Sequence, residues 1–278
     1  MADRVLIDIQ DNIATVTLNR PDKFNAFDPD MFAAVSEAGR SLSQRADVRV
    51  VILTGAGGNF SAGLDISGMG QGGDPVAAFA EEAYELIDDT PANRFQHPAY
   101  VWHAASMPVI AAIDGVCLGA GVQVAAGADI RLSSPSARFA VLEIKWGLVP
   151  DMGFSAVLRD VMRLDHLKQL AYSGRIISAD DALRYGLVSE IHDAPLATAQ
   201  RLAEEIAGRS PDAVRATKRL IDQGWRETPA DGLLLEAKMQ HAMMGSPNQI
   251  ESMMSNVQKR DANYADASID LGSVSKLR

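Results

Sequence analysis

Cysteine is nearly absent from this 278-residue chain: Cys117 stands alone. No intrachain disulfide can form, and no zinc cluster can be built from thiolates. The five histidines, His97, His103, His166, His192 and His241, show no ligand spacing, so no metal is expected and none is a strong catalytic candidate. Basic charge is in deficit, with 26 Lys and Arg against 36 Asp and Glu and a formal net charge of −10. A nucleic-acid binder would carry a basic stripe, so that class of partner is excluded. An anionic ligand must then be held by local Lys, Arg or backbone N–H groups. Long apolar runs are also missing. The longest, 107–113 and 116–128, are interrupted by Asp114, Gly115, Gln123 and further glycines, too soon to span a bilayer. Residues 1–19 alternate charged and apolar positions without the core of a signal peptide. These absences predict a cytoplasmic protein with no membrane partner.

What is present is ordinary globular material, 47% hydrophobic and 22% charged. That excludes a disordered chain. The length suits one α/β domain with an appended helical piece, and no internal repeat is evident. Val5, Ile7 and Ile9, then Ala14, Val16 and Leu18, alternate on either side of Asp11-Asn12. This predicts a β-hairpin. Asp28-Pro29 is a helix-start signal, and Phe32, Val35 and Leu42 mark the buried face of the helix that follows. Residues 48–54 read as a buried parallel strand. The rhythm returns with strands at 109–113 and 130–133, a short helix at 119–126, a helix near 165–172, a cap at Ser178 and a strand at 187–191. From Pro195 onward only helices are predicted. Ser210-Pro211 and Ser246-Pro247 start two of them, and Leu233, Leu234, Ala237, Met239, Met243 and Met244 supply apolar faces. Such a tail is expected to pack on the core or on another subunit. Residues 68–73 hold four glycines, which suits a surface linker or a flap over a site.

Three common site motifs fail. Gly119-Ala120-Gly121 lacks the third glycine of a dinucleotide fingerprint, since Val124 stands there, and Asp129 comes too early to reach a ribose. Gly55-Ala56-Gly57-Gly58 has no Gly-Lys-Ser/Thr to make a P-loop. No serine sits in a Gly-x-Ser-x-Gly elbow. Two turns remain. Phe60-Ser61-Ala62-Gly63-Leu64-Asp65-Ile66 follows the 48–54 strand, and Asp114-Gly115-Val116-Cys117-Leu118-Gly119-Ala120-Gly121 follows the 109–113 strand and opens a helix. Small residues there let backbone approach a ligand, and N–H groups at a helix start can hold a developing negative oxygen. Either turn alone would equally serve as a tight connection between packed elements.

Together with Asn19-Arg20-Pro21-Asp22-Lys23-Phe24-Asn25-Ala26, the two turns resemble the crotonase superfamily, which includes enoyl-CoA hydratases and isomerases. The resemblance continues through Gly127-Ala128-Asp129-Ile130-Arg131, from Arg138-Phe139 to Pro150-Asp151, and through Ser173-Gly174-Arg175. It ends at Val257-Gln258-Lys259-Arg260 and so covers nearly the whole chain. It implies an α/β fold with a crotonase-like ββα spiral core over residues 1–200 and a C-terminal all-helical trimerisation region over 201–278. It implies an acyl-CoA thioester substrate, a homotrimer or dimer of trimers, and no metal or redox cofactor, coenzyme A being part of the substrate. The oxyanion hole would use the backbone N–H groups of Leu64 and Ala120. Alanine departs from the family's glycine there, although the N–H survives. Lys23, Asn25, Ala26, Ala62, Asp65 and Ile66 would surround the adenine and pantetheine, and Lys259, with Arg260 beside it, would meet CoA phosphates. The acyl chain would run toward 68–73, Trp102 and Trp146.

The acid–base positions select the reaction, because this fold hosts several. Hydratases of the family carry two glutamates. The first of these positions holds Gln123, whose amide can orient water but cannot activate it. The second matches Glu143, and a third, used by isomerases, matches Asp151. Residues 139–153 look especially like the dienoyl-CoA isomerases, which place Glu and Asp at this spacing on opposite sides of the acyl chain. Leu142, Ile144, Trp146, Leu148 and Val149 offer apolar walls that would raise a carboxyl pKa. Without the resemblance, the preferred reading would be a salt bridge from Glu143 to Lys145 or Arg138 and a cap by Asp151 on a helix over 153–161; with it, catalysis is favoured for both. The expectation is an enzyme that shifts a double bond in an enoyl- or dienoyl-CoA. The alternatives are an enoyl-CoA hydratase of fatty-acid β-oxidation and a non-catalytic CoA-binding or assembly protein.

Overall fold

The structure, a computed structural model, describes residues 3–66, 85–87 and 90–276. The 68–73 stretch therefore lies outside the described residues. Strand β1 (Val5–Gln10) turns back on β2 (Ile13–Leu18) with Gln10 opposite Ile13. Asp11 and Asn12 take φ of 49° and 66°, the left-handed pair that a two-residue hairpin requires and that Asp and Asn tolerate. Strand β2 then runs parallel to β3 (Val50–Gly55), β3 to β4 (Val109–Ile113), β4 to β6 (Ile130–Ser133), and β6 to β9 (Glu190–Ile191). A second sheet takes β5 (Val116–Leu118), β7 (Arg138–Ala140) and β8 (Ile177–Ser178). The chain thus sends β4 to the large sheet and β5 to the small one, then repeats this with β6 and β7. This is a spiral of strand–strand–helix units.

Among the described residues the α-helices are α1 (Pro29–Ser43), α2 (His97–His103), α3 (Ala120–Ala126), α4 (Phe154–Val157), α5 (Leu164–Ser173), α6 (Ala179–Tyr185), α7 (Pro195–Ala207), α8 (Pro211–Gly224), α9 (Pro229–Met243), α10 (Pro247–Gln258) and α11 (Leu271–Lys276). Local chemistry starts them. Asp28 accepts the Met31 N–H ahead of α1, Ser178 that of Asp181, Ser210 that of Ala213 and Ser246 that of Gln249. The pleat sorts the strand side chains between two cores. Val51, Leu53, Val109, Ala111 and Ile113 face the main core with Phe27, Val35 and Trp102. Val50, Ile52, Ile110 and Ala112 face Ala199, Ala203 and Ala207 of α7. Apolar burial on both faces explains why β3 and β4 are continuous apolar runs.

The tail packs differently from its pattern. In α9, Leu235, Met239 and Met243 form the buried seam with Ala216 of α8, while Leu233, Leu234, Ala237 and Met244 stay exposed. One helix neighbour accepts only one i, i+4 stripe. The tail is anchored to the spiral by charge. Lys218 of α8 reaches Asp129 at 2.7 Å, and Asp129 also accepts the Val109 N–H at 2.7 Å. Two expected elements are shorter than their patterns: the 187–191 strand is reduced to Glu190–Ile191, and the helix expected over 153–161 is the four-residue α4.

Candidate active site

The two turns meet because β3 and β4 are parallel neighbours and so release the chain at the same end of the sheet. Ser61 bridges β5: its N–H reaches Val116 O, and its carbonyl accepts from Leu118 N–H, both at 2.9 Å. Its hydroxyl accepts the Gly63 N–H at 3.1 Å and donates to Asn25 O at 2.9 Å. Gly63 has φ of +93°, and a Cβ there would stand 2.8 Å from Leu118 O and 3.5 Å from Ala120 N. Gly119, at φ +50° and ψ −116°, would place a Cβ 3.9 Å from the Gly63 Cα. Both positions need glycine for conformation and for closeness.

This packing leaves two donors free on facing turns. Leu64 pairs with Phe27 in a parallel bridge whose bonds run through Gly63 O (2.7 Å) and Asp65 N–H (2.9 Å). In that pattern the Leu64 N–H points away from its partner. Ala120 is the first residue of α3, so its N–H has no acceptor within the helix. Among the described residues neither N–H donates to the protein. Two such donors, with a helix start behind one of them, are suited to stabilising a developing oxyanion.

Beside them stand the proton-handling groups. Gln123 lies one turn along α3 from Ala120 and is 1% exposed. Its Oε1 accepts the Met152 N–H at 2.9 Å, and its Nε2 donates to Glu143 Oε1 at 2.7 Å. Glu143 opens a short 3₁₀ turn, Glu143–Trp146, and its Oε1 would lie 3.7 Å from a Cβ at Gly119. Its Oε2 is buried and has no hydrogen-bond partner among the described residues. Burial above all, and then the Asp151 charge, raise the Glu143 carboxyl above its ordinary range, against the pull of its hydrogen bonds. Asp151 keeps access to solvent, yet the protein around it pushes its carboxyl upward too. The simple structural alternatives are not realised. Arg138 donates to the Ser136 and Ala137 carbonyls, and Lys145 lies over the Trp146 ring, so Glu143 pairs with neither. Gly153, with no side-chain cap, stands at the N-terminus of α4, so the alternative in which Asp151 caps that helix does not hold.

The residues expected around the carrier divide into two kinds. Lys23, Ile66 and Lys259 are exposed. Ala62 is half-buried and anchored through its N–H to Phe24 O at 2.8 Å. Asn25 is fully buried. Its Oδ1 accepts the Arg20 N–H at 2.8 Å, and its Nδ2 donates to Ala56 O and Asn59 O at 2.9 and 2.7 Å, so its side chain builds the turn. Ala26 is buried and offers its carbonyl to Arg20 at 3.1 Å. Asp65 pairs with Arg20 at 2.7 Å, and Arg20 lies 3.5 Å from Asp28, which Arg4 also holds. Arg20 and Arg4 are thus anchors that motif reading passed over, because no local spacing links them to Asp65 and Asp28. Lys259 ends α10 at φ +53°, and no described hydrogen bond or ion pair joins it to the 23–27 or 61–66 turns. Arg260 is held by Glu251, whose carboxyl that contact depresses to about 2. Trp102, expected near the acyl chain, is buried in the main core, whereas Ile144, Trp146, Leu148 and Val149 expose apolar surface around the two carboxyls. Two grooves of about 610 and 900 Å³ lie elsewhere, both bordered by His103, Lys218, Asp222 and Arg226. Among the described residues no cluster is suited to a metal ion.

Comparison with known proteins fits this geometry. The family model for enoyl-CoA hydratase/isomerase matches residues 8–267. A mitochondrial Δ(3,5)-Δ(2,4)-dienoyl-CoA isomerase of Homo sapiens is 32% identical over 261 residues, 91% of this chain and 78% of that protein. A short-chain-enoyl-CoA hydratase of Clostridium acetobutylicum is 29% identical over 261 residues, 93% of this chain and 96% of that one. The crystal structure of an enoyl-CoA hydratase from Bacillus anthracis superposes with a TM-score of 0.84 at 26% identity, covering 94% of this chain and 98% of that one.

Proposed function

Because the chain belongs to the enoyl-CoA hydratase/isomerase family, we propose that it shifts a double bond in an enoyl- or dienoyl-CoA. The observation that carries this reading is the division of labour among three side chains. Gln123 is a buried amide whose two bonds leave it no part in taking a proton from water. Glu143 and Asp151 are two carboxyls with no ion pair among the described residues, both raised above their usual range. Such a pair favours holding one proton between its members, one acting as base and the other as acid.

The thioester oxygen sits between the Leu64 and Ala120 N–H groups in this reading. One carboxylate removes a proton next to the carbonyl, and negative charge moves onto that oxygen. The other carboxylic acid returns a proton further along the chain, and the double bond moves between the two sites. Protons balance, and no redox or metal cofactor is needed. The exposed apolar side chains of 144–149 serve as a wall for the acyl chain. Lys23, Ala62, Ile66 and Lys259 are assigned to the CoA moiety, Lys259 across a subunit boundary. Asn25, Ala26 and Asp65 shape that surface from beneath. Exposed Trp225, Leu233 and Val257 support self-association, which we assign by family resemblance to a homotrimer or dimer of trimers. No helix among the described residues is long and apolar enough to cross a membrane, and we place the protein in the cytoplasm.

The test is incubation with crotonyl-CoA and with a 3,5-dienoyl-CoA, read by mass and ultraviolet absorbance. A change of absorbance at constant mass supports isomerisation. A gain of one water shows a hydratase. Binding without either change shows a CoA-binding protein without catalysis.

A further inference from the structure

We propose that Gln123 is a positioning residue whose amide decides which oxygen of Glu143 carries a proton and ties that carboxyl to the backbone bearing Asp151. The inference rests on reading Glu143 and Asp151 as the proton-transfer pair. Its starting point is the orientation of a buried amide. The Met152 backbone N–H can only donate, so the amide oxygen must face it. The NH₂ group is then obliged to face Glu143 Oε1 at 2.7 Å. A flipped amide would set donor against donor at Met152, so the assignment follows from the network itself.

A consequence follows at Glu143. A protonated carboxyl accepts more strongly at its carbonyl oxygen than at its hydroxyl oxygen, so the bond from Nε2 selects Oε1 as the carbonyl oxygen. When Glu143 is protonated, the proton therefore belongs on Oε2, the oxygen without a partner among the described residues. The same amide favours the ionised carboxyl, opposing the burial that disfavours it. It also joins the Glu143 turn to residue 152, the immediate neighbour of Asp151. Because Gln123 sits on α3, the helix that begins with the Ala120 N–H, the oxyanion donor and both carboxyls are referenced to one short rigid element. Loss of the amide would free Glu143 to rotate and leave the Met152 N–H without its acceptor.

Two variants test this. Gln123→Met keeps the volume and removes both hydrogen bonds. Gln123→Glu keeps an acceptor for Met152 and restores a donor to Glu143 only while the introduced carboxyl is protonated. The primary readout is infrared titration of the Glu143 carboxylic-acid band, assigned by its loss in Glu143→Gln, which needs no turnover. A hydrogen bond to a charged group corresponds to about one to two pKa units, so the midpoint in Gln123→Met is expected to rise by about one unit or more. With the CoA ester that the native protein converts, kcat of Gln123→Met is expected to fall by about tenfold or more while KM stays nearly unchanged. Turnover of Gln123→Glu should recover toward acid pH, where the introduced O–H replaces the amide donor.

A Glu143 midpoint unmoved in Gln123→Met overturns the proposal. So does an equal loss of kcat in both variants at every pH, which would mark a packing role only. If Gln123→Met does not fold, the acid recovery of Gln123→Glu decides alone, and its absence overturns the proposal. A shifted midpoint in a protein that converts no CoA ester would uphold the amide's role and refute the proposed function instead.

Discussion

Gly63→Ala tests whether the facing turns make the reactive site. A Cβ at residue 63 would lie 2.8 Å from Leu118 O, and ordinary contact begins near 3.4 Å, so one turn must retreat by roughly half an ångström. Catalytic groups need to be held within about that distance to remain productive. The retreat is from Leu118 O, two residues before Ala120, so it moves the turn that carries the Leu64 N–H relative to the one that carries the Ala120 N–H. Losing the alignment of one oxyanion donor lowers turnover by about 10²–10³-fold, equivalent to ~2.7–4 kcal/mol. The φ of +93° adds a separate cost to stability of about 1–2 kcal/mol for a residue with a side chain. Gly58→Ala separates these effects. It has φ of +70° and nothing within 4 Å of a built Cβ, so it should lose stability alone. The assay is kcat on the CoA ester that the protein converts, with thermal melts of both variants. A folded Gly63→Ala protein at full turnover would refute the oxyanion geometry. Equal turnover losses in the two variants would show that the effect is global strain.

Ala120→Pro deletes the other donor at a helical position where proline fits, so turnover should fall by about 10²–10³-fold with the melt little changed. A full-rate Ala120→Pro protein would remove that N–H from the mechanism. Glu143→Gln and Asp151→Asn should each cost about 10²-fold or more in kcat, and unchanged turnover in Asp151→Asn on every enoyl and dienoyl ester would defeat the isomerase reading. Both carboxyls have raised folded pKa values, so the stability they contribute is complete below the ordinary carboxyl range of about 4 and is lost as pH rises through the folded values. Native protein should therefore lose melting temperature over that rise relative to either variant, and parallel melting curves would contradict the shifts. Exposed Trp225 and Val257, 84% and 78% accessible in the isolated chain, predict an oligomer by light scattering; a particle near 29.8 kDa at micromolar concentration would exclude it.

The parts of this molecule that were legible in its sequence are those written locally. The Asp28, Ser178, Ser210 and Ser246 caps act on N–H groups three residues away, and each was visible as such. Strands β3 and β4 were visible because burial on both faces removes alternation. The end of α4 was not, because no glycine or proline marks the stop after Val157. In the site, Glu143 and Asp151 were found through resemblance, while their freedom from Lys145, Arg138 and a capping role emerged only in three dimensions. Asn25 shows the limit most sharply. Its partners Ala56 and Asn59 lie more than thirty residues downstream, and no spacing rule distinguishes a turn-building amide from one that meets a ligand.

The two halves of the site respond differently to genetic change. The donors at residues 64 and 120 belong to the main chain, so among codon changes there only one to proline deletes an N–H; the others alter the breadth of the pocket. Gln123, Glu143 and Asp151 are side-chain choices. Gln and Glu codons differ by one nucleotide, as do Asp and Asn codons. A single base change can therefore rewrite where protons go while the apparatus that steadies the thioester oxygen is inherited intact. A chain built this way can change its reaction without first losing its hold on the intermediate.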